Sequence, residues 1–186
     1  MTSGDDGRTW SAAKLVIDPP GAVRAFDPCL WTDPDGRLWL FWAQGFTHWD
    51  GRAGVWAIST SQPDSENPEW TTPRRLCNGI MMNKPTVLST GEWLLPAAIW
   101  SIKPNVPDPA FLRPTPEESG SNAICSTDHG ATWSRLGGSN VPERSCDEHH
   151  IIERKDQSLW MLVRTQYGIG ESFSTDRGKT WSPGKP

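Results

Sequence analysis

Two ionisable residues, Glu148 and Arg164, lie sixteen positions apart and could together act on an anionic substrate. A carboxylate can accept a proton as a general base, and a guanidinium presents a fork of donors that matches a carboxylate ligand. Glu148 precedes one predicted strand, and Arg164 ends the next, which follows a turn at 156–157. Because a hairpin returns the chain to the side where it began, the sequence predicts both side chains at one pocket.

Other polar residues occupy similar places, where the chain enters or leaves a predicted hairpin. Runs of Leu, Trp, Val and Met separate them, so the polar groups are concentrated where a ligand pocket would form. Besides Arg164, the candidate substrate-binding residues are Asp147, His149, Arg24, Asp27, Asn83, Lys84 and Trp100. The same predicted rim includes Gln44, His48, Lys103 and Tyr167.

Each of these residues also has a structural explanation. For Glu148 with Arg164, the alternative is a surface salt bridge, which contributes little to stability when it is exposed. A solvated loop or a structural ion pair is the alternative for Arg24, Asp27, Gln44, His48 and Lys103.

The histidines and cysteines show no spacing that is typical of a metal site. His149 and His150 are adjacent, and consecutive strand residues face opposite ways, so we do not expect them to share a metal ion. The four cysteines form no Cys-x-x-Cys pair, which leaves four thiols or two disulfides as alternatives. The sequence therefore predicts no metal and no cofactor.

The elements that must position these residues are marked by the string Ser-x-Asp-x-Gly-x-Thr-Trp, which occurs at residues 3–10, 126–133 and 174–181. Each copy predicts a hairpin turn, because Ser and Asp can bond nearby backbone N–H groups and Gly can adopt a positive φ. The Trp would pack over the turn. We therefore assign a structural role to Ser3, Asp5, Gly7, Trp10, Ser126, Asp128, Gly130, Trp133, Ser174, Asp176, Gly178 and Trp181.

A second repeat consists of a strand, a tight turn and a Trp-rich strand. It occurs at residues 26–43, 84–100 and 149–165, and its turns are Asp35-Gly36, Thr90-Gly91 and Asp156-Gln157. Several of these strands are continuously apolar, which is typical of strands covered on both faces. A fourth copy of the eight-residue string, at 59–71, keeps only its Trp and has lost the Asp and Gly spacing.

The three strings resemble the Asp-boxes, or BNR repeats, of the sialidase-like (neuraminidase) β-propeller family, and nearly the whole chain shares the resemblance. The resemblance implies an all-β fold, a partial β-propeller with about three to four of six blades, each a four-stranded antiparallel sheet. We expect one domain over residues 1–186, incomplete at both ends. Its blades would be residues 1–13 (the end of a blade), 24–77, 83–140 and 147–186 (most of a blade).

Residues 147–164 resemble the sialidase segment that holds the catalytic glutamate and one substrate-binding arginine. The resemblance implies an exo-glycosidase that releases terminal sialic acid with retention, in which Glu148 is the base for a tyrosine nucleophile and Arg164 binds the sugar's carboxylate. In that family the other arginines, the nucleophilic tyrosine and the acid/base aspartate come from regions absent here. Tyr167 is not assigned as the nucleophile, and we expect the isolated chain to be inactive.

Two other functions fit the same fold, because fold does not determine chemistry. A glycan-binding propeller could stack sugars on Trp49 and Trp100. A polysaccharide lyase could use His48, His149 or His150 as base at a uronic acid, with Arg164 neutralising the carboxylate.

Composition limits the partners. The net charge is -4 and no run of Lys or Arg occurs, which argues against nucleic acid and against an anionic membrane. No apolar run is long enough to span a bilayer. We therefore expect a glycan or glycoconjugate as substrate. Residues 1–6 do not resemble a signal peptide, so the sequence leaves the compartment open.

Overall fold

A computed structural model describes residues 1–45, 54–100 and 119–186. Within these ranges it contains twelve strands and no helix, which confirms the all-β prediction. The strands are β1 (Arg24–Thr32), β2 (Leu38–Gly45), β3 (Val55–Thr60), β4 (Arg74–Cys77), β5 (Ile80–Met81), β6 (Thr86–Val87), β7 (Trp93–Ile99), β8 (Gly120–Ser126), β9 (Ser134–Ser139), β10 (His150–Glu153), β11 (Leu159–Thr165) and β12 (Gly168–Ser174). No helix in the described part of the chain is long and apolar enough to cross a membrane.

The strands form three antiparallel sheets, and neighbouring strands of each sheet are close in sequence. The first sheet has the order β1-β2-β3-β4, and the third has the order β10-β11-β12. The second has the order β5-β7-β8-β9, with β6 also paired to β7, so its first strand is broken into two short pieces.

The core lies between neighbouring sheets. Trp39 and Phe41 of the first sheet are buried together with Trp93 of the second. The Trp31 and Trp93 rings meet edge to face with centroids 4.9 Å apart. All seven residues of β7 are buried, which explains its unbroken apolar sequence. Each large apolar side chain buried in this way contributes about 1.5–3 kcal/mol to stability. A second cluster, including Leu94 and Met161, joins the second sheet to the third.

The Asp-boxes share one pattern of hydrogen bonds. In the second box, Ser126 Oγ donates to Asp128 Oδ1 at 2.8 Å and accepts from the Gly130 N–H at 2.8 Å. The Thr132 N–H donates to Asp128 Oδ1 at 2.8 Å, and Trp133 Nε1 donates to the Gly130 carbonyl at 3.1 Å. Gly130 has a φ of 83°, as the turn requires. Equivalent bonds form in the first and third boxes.

The tryptophans of the boxes differ in burial. Trp133 and Trp181 pack against the clusters between the sheets, whereas Trp10 is 60% exposed. Hydrogen bonds lower the pKa of Asp5, Asp128 and Asp176 to about 2. In each box the largest contribution comes from the side chain of the threonine that precedes the Trp.

Two boxes also contact the hairpin turn of the preceding sheet through their fourth residue. His129 has a φ of 54°, and its Nδ1 lies 2.8 Å from Asp35 Oδ2. Arg177 has a φ of 61°, and its Nη1 donates to Glu92 Oε1 at 3.2 Å. These pairs join successive sheets on the Asp-box side.

The first strand of each sheet is irregular near the opposite side. The pairing of β1 with β2 shifts between Phe26 and Cys29, and Asp27, inside this bulge, has a φ of 54°. Residues 82–85 separate β5 from β6, and β10 begins only at His150. The irregular segments contain Asp27, Lys84 and Glu148. The side chains that could take part in binding or catalysis therefore lie where the hydrogen-bond ladder is interrupted.

Candidate functional site

Glu148 and Arg164 form an ion pair on the side opposite the Asp-boxes. Arg164 Nη1 donates to Glu148 Oε1. Arg164 lies near the end of β11 and Glu148 just before β10, so the hairpin brings them together. The side chains are 51% and 35% exposed, respectively. An ion pair this open contributes at most about 1 kcal/mol to stability, so the fold does not depend on it.

Asp27 adds a second carboxyl group beside this pair. It belongs to the first sheet, whereas Glu148 belongs to the segment that leads into the third. Partial burial and, second, the negative charge of Glu148 raise the pKa of Asp27. A carboxyl group whose pKa is raised by burial and by a like charge holds its proton to higher pH and is suited to donate it.

Asn83 fixes the backbone at this point. Its Nδ2 donates to the carbonyl oxygens of Glu148 at 3.0 Å and His149 at 2.9 Å, which links the second sheet to the third. The amide nitrogen is therefore already used in holding Glu148 in place. The arrangement makes Asn83 a positioning residue for the rim.

Asp147 and His149 lie inside the protein. Asp147 Oδ2 accepts from Arg144 Nη1 at 2.7 Å and from Ser121 Oγ at 3.0 Å, and its side chain is 1% exposed. The ring Nε2 of His149 lies 2.8 Å from the carbonyl oxygen of Asn122. Burial lowers the pKa of His149, which keeps the ring neutral. Both side chains are buried, so they hold the rim in place from the interior of the protein and present no group at its surface.

Arg144 is a part of the site that sequence reasoning missed. Besides Asp147, its Nη1 reaches the Ile99 carbonyl at 2.8 Å, and its Nε reaches Asn140 Oδ1 at 2.8 Å. The side chain is only 6% exposed. Its three-residue spacing from Asp147 in a loop is not informative, and the contact with Ile99 spans 45 positions, so no local signal pointed to it.

A cleft of about 520 Å³ opens beside Asn83. It is lined by Pro28, Cys29, Leu30, Met82, Asn83, Lys84 and His150. Burial lowers the pKa of His150 and raises that of the Cys29 thiol, so both are neutral near pH 7. The lining of the cleft therefore combines apolar side chains with one exposed ammonium group, that of Lys84.

The remaining candidates are dispersed. Trp100 is buried against Ala43, Ile80 and Ala98, so its ring is not available to stack on a sugar. Arg24 is exposed at the start of β1. The structure leaves Gln44 half-buried and Tyr167 exposed. His48, Trp49 and Lys103 lie outside the described residues.

The part of the chain that the structure describes contains no group of three or more His, Cys, Asp or Glu side chains arranged to hold a metal ion. All four cysteines lie in this part, and all are free thiols.

The BNR repeat-like domain family matches residues 1–186. No curated protein sequence matches the chain. Among solved structures, a protein of unknown function from Dyadobacter fermentans is 17% identical with a TM-score of 0.64, and the alignment covers 97% of this chain and 55% of that one. The intramolecular trans-sialidase from Ruminococcus gnavus, in complex with oseltamivir carboxylate, is 14% identical with a TM-score of 0.62 and coverages of 99% and 62%.

An ulvan lyase, which is a polysaccharide lyase, is 10% identical with a TM-score of 0.50, and the alignment covers 87% of this chain and 41% of that one. Likenesses at such identities show the fold alone, and with the three sheets they confirm the prediction of a partial sialidase-like β-propeller. The chain spans less than two thirds of the length of each of these solved proteins.

Proposed function

Since the chain belongs to the BNR repeat-like domain family, we propose that it forms part of a sialidase-like glycoside hydrolase that releases a terminal acidic sugar from a glycan. The observation that carries this proposal is the ion pair of Glu148 with Arg164, beside a second carboxyl group whose pKa is raised. An arginine can bind the carboxylate of an acidic sugar, and two carboxyl groups can serve as acid and base, which are two of the tasks in hydrolysis of an acidic glycoside.

Arg164 binds the carboxylate of the sugar in this proposal. Its guanidinium is half exposed and offers forked donors, which match a carboxylate in a planar, two-point contact. An incoming carboxylate competes with Glu148 for these donors. Binding of substrate therefore loosens the ion pair and frees Glu148 to accept a proton.

Glu148 acts as the general base. Because its pKa is raised, Asp27 acts as the general acid in this proposal, in place of the acid/base aspartate that the sialidase resemblance assigns to a region absent here. As the bond from the anomeric carbon to the leaving oxygen breaks, Asp27 gives its proton to that oxygen, and Glu148 takes the proton of the nucleophile. The sialidase resemblance implies a tyrosine as nucleophile, which would form a bond to the anomeric carbon. In the second step water would attack that carbon and release the tyrosine. Proton transfer by a positioned group contributes typically about 10²–10⁴-fold in rate.

The test is Glu148→Gln in the protein expressed at its full natural length, assayed on a fluorogenic sialoside. We expect kcat to fall at least about 100-fold because the amide cannot accept the proton. The unfolding midpoint should stay unchanged because the ion pair is exposed. Glu143→Gln is the matched control, since Glu143 is an exposed glutamate in the same loop. Unchanged hydrolysis in Glu148→Gln would show that the assignment is wrong.

A polysaccharide lyase is the second candidate, and His150 favours it. The ring lines the cleft, and its lowered pKa keeps it neutral and able to accept a proton from a uronic acid. Removal of that proton and loss of the glycosidic oxygen leave an unsaturated sugar, which absorbs in the ultraviolet. Release of such a product that stops in His150→Asn, but continues in Glu148→Gln, would favour the lyase over the hydrolase.

A glycan-binding propeller without chemistry is the third candidate. The burial of Trp100 argues against a stacking platform at that residue. Binding of sialosides that is retained in Glu148→Gln, together with no turnover by the unaltered protein, would support this function.

A further inference from the structure

Lys84 is an exposed ammonium group in the cleft beside the candidate site. It forms neither an ion pair nor a hydrogen bond with any residue in the ranges 1–45, 54–100 and 119–186. Lys84 and Cys29 line the same cleft, and the positive charge of Lys84 partly offsets the effect of burial on the pKa of the Cys29 thiol. A cation in such a place is available to a ligand.

The backbone explains why Lys84 is directed away from the sheet. The first strand of the second sheet is broken at residues 82–85, between β5 and β6. Pro85 has no N–H to contribute to a ladder, and Asn83 is tied to the carbonyls of Glu148 and His149. Lys84 lies between Asn83, which is fixed by these hydrogen bonds, and Pro85, which cannot extend the ladder. Its backbone is therefore constrained while its side chain remains exposed.

The lining of the cleft suits an anionic sugar. Pro28, Leu30 and Met82 give it an apolar wall against which the C–H face of a sugar ring can pack. No Asp or Glu is among the lining residues, so Lys84 is not neutralised there. The volume of about 520 Å³ lies within the usual range of small-molecule sites, about 300–1,000 Å³.

We propose that this cleft is a second sugar subsite, in which Lys84 binds a carboxylate or sulfate ester on the sugar next to the one held by Arg164. The inference rests on the proposed function, because it takes Arg164 as the binding site of the first acidic sugar. The substrate class is then a glycan with anionic groups on two neighbouring sugars. A single acidic sugar on a neutral chain would leave Lys84 without its partner.

Binding of three probes by calorimetry tests this proposal, with the full-length protein carrying Glu148→Gln so that no probe is consumed. The probes are sialyllactose, disialyllactose with two adjacent sialic acids, and sialyllactose sulfated on its galactose. We expect at least one of the two doubly anionic probes to bind more tightly than sialyllactose. The probe that gains more identifies carboxylate or sulfate as the preferred group.

Substitution of Lys84 should remove this preference. A hydrogen bond to a charged group is worth about 1.5–3 kcal/mol. Lys84→Met should therefore weaken the binding of the preferred probe about 10-fold to 100-fold. Binding of sialyllactose should change less than about threefold. Lys84→Arg should restore most of the preference, because it keeps the charge. Lys155→Met, which removes an exposed lysine from the turn between β10 and β11, is the control that should have no effect.

Three outcomes would overturn the subsite. The first is an equal loss of affinity for all three probes in Lys84→Met. The others are equal affinity of the protein with Lys84 for singly and doubly anionic probes, or no binding of either doubly anionic probe. Hydrolysis measured with Glu148 intact judges the proposed function separately. Binding that depends on Lys84, without turnover of any probe, would contradict the hydrolase and leave the subsite standing.

Discussion

The Asp-boxes and the opposite rim are built from the same strands, but each box is closed within its own turn, whereas the supports of the rim connect distant parts of the chain. Each Asp-box is closed by hydrogen bonds within eight residues, and its carboxylate has a pKa of about 2. The rim depends on contacts across 26 to 66 positions, and the pKa of Asp27 is raised there. The difference teaches that each Asp-box is stabilised by its own residues, whereas the rim is held by contacts between sheets and keeps the carboxyl group of Asp27 in an electrostatically unfavourable position, as functional sites do.

Removal of the buried ion pair under the rim should have the largest effect on stability. Asp147→Ala leaves the Arg144 guanidinium buried without its counter-ion, which costs about 3–5 kcal/mol. Urea denaturation of the variant measures this loss. Asp18→Ala, at an exposed aspartate, is the control and should stay within about 0.5 kcal/mol. A loss below about 1 kcal/mol in Asp147→Ala would break the comparison, because the rim would then not depend on its long-range contacts.

Acid should weaken the Asp-box side. A folded pKa of about 2 lies below the ordinary value of about 3.9, so this stabilisation is present above about pH 4 and is lost as the pH falls towards 2. We expect Asp128→Asn to be less stable than the unaltered protein at pH 7 and to lose less on acidification. Thermal unfolding measured from pH 7 down to about 2 checks this.

Thr132→Val is a second variant for the acid experiment. It removes the hydroxyl bond that lowers the pKa of Asp128 most, so part of the acid sensitivity should disappear. An unaltered acid response in both variants would show that the Asp-box carboxylates do not set it.

Asp27 should show the opposite dependence on pH. Because its folded pKa is raised, the unfolded chain ionises first, and stability falls as the pH rises from the ordinary pKa through the folded one. Asp27→Asn removes this penalty, and asparagine tolerates the positive φ. We expect a higher melting temperature at pH 7 and reduced hydrolysis.

Asp6→Asn is a matched control for Asp27→Asn, since Asp6 also has a positive φ, 58°, but lies at an exposed turn. A gain of equal size in both variants would mean that backbone strain, and not charge, explains the result at Asp27.

Substitution in the hairpin turn at Gln157 should cause the smallest change in stability. Gln157 has a φ of 64° where the other two sheets have Gly36 and Gly91. A left-handed residue other than glycine costs about 1–2 kcal/mol, and the extra freedom of glycine in the unfolded chain offsets about 0.4–1 kcal/mol. Gln157→Gly should therefore stabilise by about 0.5 kcal/mol in urea denaturation. Gly36→Ala should destabilise the equivalent turn, and a gain there would contradict this account.

The sequence predicts the repeated elements well, because their signals are local. Spacing within eight residues defines each Asp-box, and the direction of a hairpin is enough to bring Glu148 and Arg164 together. The supports of the rim depend on contacts between sheets, such as that of Arg144 with the Ile99 carbonyl, and no spacing encodes them. Alternation along a strand separates His149 from His150, but it does not say which of the two faces inward.

The fourth residue of the Asp-box has a consequence for the recombination of repeats. His129 and Arg177 each meet an acidic side chain, Asp35 or Glu92, on the hairpin of the preceding sheet. Each contact therefore joins one repeat to the next through a pair of polar side chains. A chimera that puts a basic hairpin before the third box would bring a second cation to Arg177, so repeats should be exchanged with each hairpin kept together with the box that it contacts.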